Sequence, residues 1–160
     1  MGRCLLAVVI LGFVALVQPA NAAGPRVALV IGNSGYSDAP LANPANDARL
    51  IAETLRGLGF DVIERIDADR KTIQLASFEL QDRLIEAGKD AVGLFFYAGH
   101  GIQVGGQNYL VPLNSNIEKE REVAVEAVSA SFILKQMEFA GNEPYGFVDT
   151  PAYRAMKQSE

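Results

Sequence analysis

The chain holds a single histidine, His100, set between glycines in the run YAGHG from Tyr97 to Gly101. An imidazole ordinarily titrates near ~6.5, so it can take a proton from a nucleophile and return it to a leaving group. The flanking glycines permit a sharp backbone turn and put little bulk beside the ring. The N–H of Gly101, next in the chain, is a candidate donor to a developing oxyanion. The chemistry lacks an obvious second half, because the only cysteine is Cys4. A lone histidine is ordinarily a surface or satisfied core residue, and only its context separates His100 from that reading.

Three other features invite chemistry. Asp47 lies in the first turn of a predicted helix, where the helix dipole alone favours a carboxylate. Asp38 sits in a polar turn that an Asx-type hydrogen bond explains, and it receives no role. Gly32 and Gly35 lack the third glycine and the lysine of a phosphate-binding loop.

The elements that must position His100 can be read from periodicity. RVALVIG (Arg26 to Gly32) and AVGLFFYA (Ala91 to Ala98) are continuous apolar runs, as expected of strands covered on both faces. The second leads directly into His100, placing it at a strand's carboxyl end. Asn43 and Pro44 suit an N-cap and a first helical position. After them Ala48, Ile51, Leu55 and Leu58 share one helical face. Phe60 to Arg65 suits a shorter strand, and Ile73, Ala76, Leu80 and Leu84 mark a second helix stopping near Gly88. Ile102–Val104 and Asn108–Val111 surround GGQ and suggest a hairpin. A charged loop, 114 to about 126, precedes a third helix that Ser129 is placed to cap, with Ala130, Ile133, Met137 and Ala140 on one face. Beyond Gly141 no strand-length apolar run is found. Such alternation predicts an α/β fold with a mostly parallel sheet and helices on both faces, its functional groups at the strands' carboxyl ends.

Composition narrows the function. The 160 residues suit one core. A net charge of −5 without a Lys/Arg run argues against nucleic acid as a partner. Arg3, the apolar stretch Cys4 to Val17, and the small-residue site Ala20-Asn21-Ala22 read as an export signal cleaved near Ala22. The stretch is shorter than the ~20 residues of a membrane span, so membrane attachment is expected only if the signal stays uncleaved. The mature protein is expected in the periplasm or outside the cell. It would carry no cysteine, which removes disulfides and thiolate metal sites; no metal or cofactor is expected.

YAGHG after an apolar strand, RVALVIGNSGY (Arg26 to Tyr36) and LANPANDARLIAETLRGLGF (Leu41 to Phe60), in this order, resemble the large-subunit domain of caspase-like cysteine peptidases, with bacterial metacaspase-type members the nearest match. The similarity runs from Arg26 to Asn142, between a signal (1–22) and a divergent tail (143–160). It implies a three-layer caspase-like sandwich. It also implies that His100 is the histidine of a His/Cys dyad and that Gly101 helps form the oxyanion hole. Asp47 would match an acidic residue that binds a basic side chain, giving Arg/Lys preference in a peptide or protein substrate.

The resemblance fails where the thiol should be. Caspase-type cysteines follow the histidine by roughly 50 residues, at the end of the next sheet strand. Here GFVDTPAYR offers Thr150 and Pro151, and Thr150 has no activating base assigned to it. The expectation is a domain interrupted before its cysteine, with the terminal part of the sheet missing and cleavage absent. Marginal stability, a partner subunit or self-association through the incomplete sheet would follow. The alternative is a non-catalytic module that holds basic peptides or a partner subunit.

Overall fold

The computed structural model of the chain describes residues 24–141 and 144–149. Its centre is a four-stranded parallel sheet in the order β2 (Asp61–Ile66), β1 (Arg26–Gly32), β3 (Val92–Ala98), β7 (Pro144–Asp149). Side chains alternate across each strand, so each central strand feeds two cores. Leu29, Ile31, Phe95 and Tyr97 face one way, against Ile73, Leu80 and Leu84 of α2 (Arg70–Ala87) and Ile133 and Met137 of α4 (Ala130–Phe139). Ala28, Val30, Phe96 and Ala98 face the other way, against Ala48, Ala52 and Leu55 of α1 (Pro44–Gly57). The result is the three-layer α/β sandwich expected from the strand and helix alternation.

A second, three-stranded sheet stands beside the carboxyl ends of the first. It runs β4 (Gly101–Val104), β5 (Gln107–Leu110) and β6 (Val128–Ser129), all antiparallel. Gly105 and Gly106 both have positive φ, 57° and 77°, as a two-residue hairpin turn of the primed type requires.

Several local expectations need correction. A strand does follow Gly141: β7 pairs in parallel with β3, from Gly93↔Pro144 to Ala98↔Asp149. It rests on backbone hydrogen bonding rather than on an apolar run, so hydropathy carries no sign of it. The incompleteness of the sheet therefore begins after β7, whose outer edge has no neighbour among the described residues. Leu58 lies past the end of α1 and is exposed, so Ala52 takes its place in the buried face. Asn43 occupies the N-cap position without a side-chain cap; the Ala45 N–H donates instead to Ser34 Oγ, 2.9 Å away. Ser129 does not cap α4 either, and its hydroxyl bonds Ser131 Oγ at 2.6 Å. The charged loop contains a turn of 3-10 helix at Glu120–Glu122 and a single α-turn, α3 (Val123–Glu126). The segment read as an export signal, Thr150, Pro151 and the tail beyond them lie outside the described residues.

At the opposite edge β2 is charged, and its charges are tied down. Asp61 pairs with Arg83 at 2.6 Å, Glu64 with Arg56 at 2.8 Å, and Arg65 with Glu79 at 2.5 Å. Charged edge strands of this kind resist pairing with another chain.

Candidate active site

The site is built where β1 and β3 end. Gly99 closes β3, and a Cβ there would fall 2.5 Å from Tyr97 Oη and 2.8 Å from Tyr36 Oη, so only glycine leaves room for both hydroxyls. These two phenols hold the next residue by its backbone. The His100 N–H donates to Tyr36 Oη at 3.1 Å, and Tyr97 Oη donates to the His100 carbonyl at 2.9 Å. Tyr36 Oη in turn donates to the Val111 carbonyl at 2.9 Å. Burial pushes both phenols above the ordinary tyrosine range, Tyr97 well above it; for Tyr97 the neighbouring Tyr36 adds to the effect.

The imidazole is fixed at both its face and its edge. Its ring lies 4.5 Å from the Tyr36 ring, tilted by 55°. Its Nε2 is 2.7 Å from the Ala39 carbonyl oxygen. A carbonyl can only accept, so Nε2 carries the proton, and in the neutral ring Nδ1 keeps a free lone pair. That is the form needed to receive a proton from an acid brought to Nδ1.

Gly101 opens β4, and the hairpin register decides where its amide points. Residues flanking a two-residue turn exchange hydrogen bonds, so Val104↔Gln107 and Ile102↔Tyr109 are hydrogen-bonded pairs. The Val111 N–H donating to the His100 carbonyl at 3.0 Å fits the same parity. The main-chain groups of Gly101 and Gln103 therefore face away from β5. A cavity of about 520 Å³ adjoins the start of β4, lined among others by Tyr36, Asp38, His100, Gly101, Ile102 and Glu118.

Beneath the site, Asn33 is fully buried and fastens three segments together. Its Oδ1 accepts the Ala68 N–H at 2.9 Å, and its Nδ2 donates to the carbonyls of Ala68 at 3.1 Å and Val111 at 3.4 Å. Asp67, at a left-handed φ of 54°, accepts the Ser34 and Gly35 N–H groups at 2.7 and 2.9 Å. These contacts hold the loop that carries Tyr36 and Ala39.

The structure brings His100 and Gly101 together at the cavity, whereas Asp47 lies on the first turn of α1 and is not among the residues lining it. Asp38, given no role from sequence, does line it. Sequence reasoning also passes over Asn33, Tyr36 and Tyr97. The signal that could find them is a polar residue directly after one buried strand and a hydroxyl near the end of another, since buried groups of either kind need partners. Among the described residues there is no cluster of three His, Cys, Asp or Glu able to hold a metal, and no helix long and apolar enough to cross a membrane.

A testable consequence follows from the phenols. Tyr36 and Tyr97 titrate higher in the fold than in the unfolded chain, so raising pH past ~10 deprotonates the unfolded state first and stability falls there. Of the five tyrosines in the chain, two are expected to ionise only together with unfolding. Following absorbance at ~295 nm and circular dichroism on one alkaline titration checks this; five tyrosines ionising before any loss of structure would contradict it.

Comparison with known proteins agrees with the geometry. The caspase domain model matches residues 25–150. The human mucosa-associated lymphoid tissue lymphoma translocation protein 1 is 34% identical over 91 residues, which is 56% of this chain and 11% of that protein. Its mouse homologue matches equally. The chain thus spans about a tenth of the length of these curated relatives. A solved structure of a Geobacter sulfurreducens protein superposes with a TM-score of 0.56 at 16% identity, covering 84% of this chain and 55% of that one, which is a likeness of fold. With the caspase model matching from the first strand through β7, and His100 standing at the carboxyl end of β3, the chain belongs to the caspase-type peptidase domain family.

Proposed function

We propose that this chain is a caspase-type endopeptidase domain, nearest the metacaspase type, that keeps the proton-handling half of the dyad and lacks its own nucleophile. The observation carrying this reading is His100, held at the carboxyl end of β3 with Nε2 bonded to Ala39 and Nδ1 without a hydrogen-bond partner among the described residues. In the complete reaction Nδ1 takes the thiol proton, the thiolate attacks the peptide carbonyl, and the imidazolium returns the proton to the leaving amine. The Gly101 N–H, turned away from β5, suits the oxyanion formed in that attack. No cysteine follows Cys4 in the sequence, so residues 5–160 contain no thiol to begin the cycle. The chain is accordingly expected to hold peptides without cutting them unless a partner supplies the missing group. Asp47, by family resemblance, and the acidic balance of the chain support a preference for Arg or Lys. The N-terminal apolar stretch and Ala20-Asn21-Ala22 support export.

The test restores a thiol. Asp149 ends β7, the strand beside β3, and Thr150 and Pro151 follow it in the sequence. Pro151→Cys therefore gives this strand end the Asp-x-Cys spacing of the family. Its alkylation by iodoacetamide at pH ~6.5 should be about tenfold faster with His100 present than in the His100→Ala background, because the histidine of a dyad takes up the thiol proton and raises the thiolate fraction. The unsubstituted chain should hydrolyse no Arg- or Lys-linked fluorogenic peptide. Equal alkylation rates in the two backgrounds would refute a dyad role for His100.

A further inference from the structure

We infer that Tyr36 is a positioning residue for His100: its ring holds the imidazole in the orientation that keeps Nδ1 open, and its hydroxyl fixes the main chain that carries the imidazole. The inference rests on the reading of His100 as the proton-handling half of a dyad, and it assigns the aim of that histidine to a second side chain.

An imidazole turns about its Cβ–Cγ bond in a broad, roughly two-fold well, and a half turn puts a carbon about where each nitrogen stood. In His100 such a turn would carry Nε2 away from the Ala39 carbonyl and move Nδ1 to the opposite edge of the ring. The 2.7 Å contact of Nε2 with Ala39 O opposes the turn, but it is exposed, so water competes for both of its ends. A bond of that kind adds little net hold. The Tyr36 ring supplies what the bond lacks. Its centroid is 4.5 Å from that of the imidazole and its plane is tilted by 55°, so it covers one face and stands in the path of a turning edge. Tilted rings at this separation also attract.

The same side chain grips His100 at its main chain. The His100 N–H donates to Tyr36 Oη at 3.1 Å, and Oη donates its own proton to the Val111 carbonyl at 2.9 Å. A rigid phenol therefore spans from the backbone of His100 to its ring, and the two cannot drift independently. Tyr97 adds to the backbone hold, its hydroxyl donating to the His100 carbonyl at 2.9 Å. The loop completes the arrangement. The Tyr36 and Leu41 N–H groups both donate to the Ser34 carbonyl at 3.0 Å, closing a loop that contains Tyr36 and Ala39 together. The contact at the face of the imidazole and the contact at its edge thus arrive on one piece of backbone.

The experiment follows His100 by NMR in the full chain, where it is the sole histidine. In the unsubstituted chain its Hε1 and Hδ2 resonances should be displaced from their positions in the urea-unfolded chain by the Tyr36 ring current, and should show Overhauser contacts to that ring. Tyr36→Phe removes the hydroxyl and keeps the ring, whereas Tyr36→Leu removes both. Both variants should melt below the unsubstituted chain, because both lose the hydroxyl's hydrogen bonds. Exchange of the Nε2 proton with solvent should nevertheless quicken about fivefold or more in Tyr36→Leu and less than about twofold in Tyr36→Phe. A merely structural role would lower stability without this split. With Pro151→Cys in place, the roughly tenfold acceleration of alkylation by His100 should fall to about twofold in Tyr36→Leu and stay above about fivefold in Tyr36→Phe. Equal Nε2 exchange in the two variants would overturn the inference. So would undisplaced His100 resonances in the unsubstituted chain, a measurement that stands even where neither variant folds. An acceleration unchanged in Tyr36→Leu would overturn it with the dyad reading intact. Alkylation indifferent to His100, beside the expected split in exchange, would instead refute the dyad and uphold the grip of Tyr36 on the ring.

Discussion

Asn33→Ala is expected to lower the stability of the folded chain by about 2–4 kcal/mol, a large share of the ~5–15 kcal/mol typical of a domain. Asn33 is fully buried at the end of β1, and its Oδ1 is the acceptor for the Ala68 N–H. Ala68 is itself only 3% exposed, so water cannot easily replace that acceptor. An orphaned buried N–H costs about 1–3 kcal/mol, and the vacated amide volume adds a cavity term. The carbonyls suffer less: Ala68 O still accepts the Leu113 N–H at 3.0 Å, and Val111 O keeps Tyr36 and Tyr97. Urea unfolding followed by circular dichroism measures the loss, and a change below ~0.5 kcal/mol would show that Asn33 does not fasten these segments. Asn33→Asp sharpens the test, since it keeps the acceptor but aims a carboxylate at two carbonyls. That site raises the carboxyl's pKa in the fold, so this variant should be most stable at low pH and lose stability as pH rises through the ordinary carboxylate range.

The two cores are legible in the sequence because β1 and β3 bury both faces, and a strand that does so must be apolar at every position. Helix α2 is legible from its period: Ile73, Ala76, Leu80 and Leu84 are all buried where a 3.6-residue repeat puts them. β7 is not legible, because its membership in the sheet comes from six residues of main-chain pairing with β3 that hydropathy does not encode. The two misplaced caps have a common cause. Asn43 and Ser129 are chemically able to cap, but Ser34 comes from eleven residues upstream to take the α1 position, and Ser131 captures the hydroxyl of Ser129. Tertiary placement decides between equally competent local partners.

In the site, the histidine and its glycines can be singled out because their spacing relative to a buried strand is local. What fixes the ring cannot. The Ala39 carbonyl lies 61 residues from His100, Tyr36 lies 64 residues away, and neither contact has a sequence pattern of its own. Asp47 and Asp38 show the limit in the other direction. Family resemblance singles out the first, whereas it is the second that lines the cavity at His100, so charge at the mouth of a sheet cannot be apportioned before the fold is known.

Gly32→Val is expected to remove about 3 kcal/mol or more, and to do so by lifting α1 off the sheet. A Cβ on Gly32 would fall 2.5 Å from both Ala48 Cβ and the Pro44 carbonyl oxygen, and 3.1 Å from Ala45 Cα. Two of these atoms are backbone and the third is a Cβ, so no rotamer change relieves the overlap. The helix must move as a body, and its movement withdraws Ala48, Ala52 and Leu55 from Ala28, Val30 and Phe96. It also separates Ala45 from Ser34 Oγ, the contact that caps α1 and ties it to the loop carrying Tyr36. Loss of that cap alone costs about 1 kcal/mol. Gly57→Ala is the matched control, since nothing lies within 4 Å of a Cβ there, and it is expected to be neutral or slightly stabilising. Thermal unfolding of the pair separates crowding at one position from any general intolerance of α1 to substitution. A Gly32→Val melting temperature equal to that of Gly57→Ala would mean that α1 does not seat against the end of β1. If α1 does lift, the Tyr36 loop loses its anchor at Ser34, and the Nε2 contact to Ala39 that defines the histidine's tautomer should weaken with it. In whatever folded fraction of Gly32→Val remains, the Nε2 proton resonance of His100 should therefore exchange faster with solvent than in Gly57→Ala.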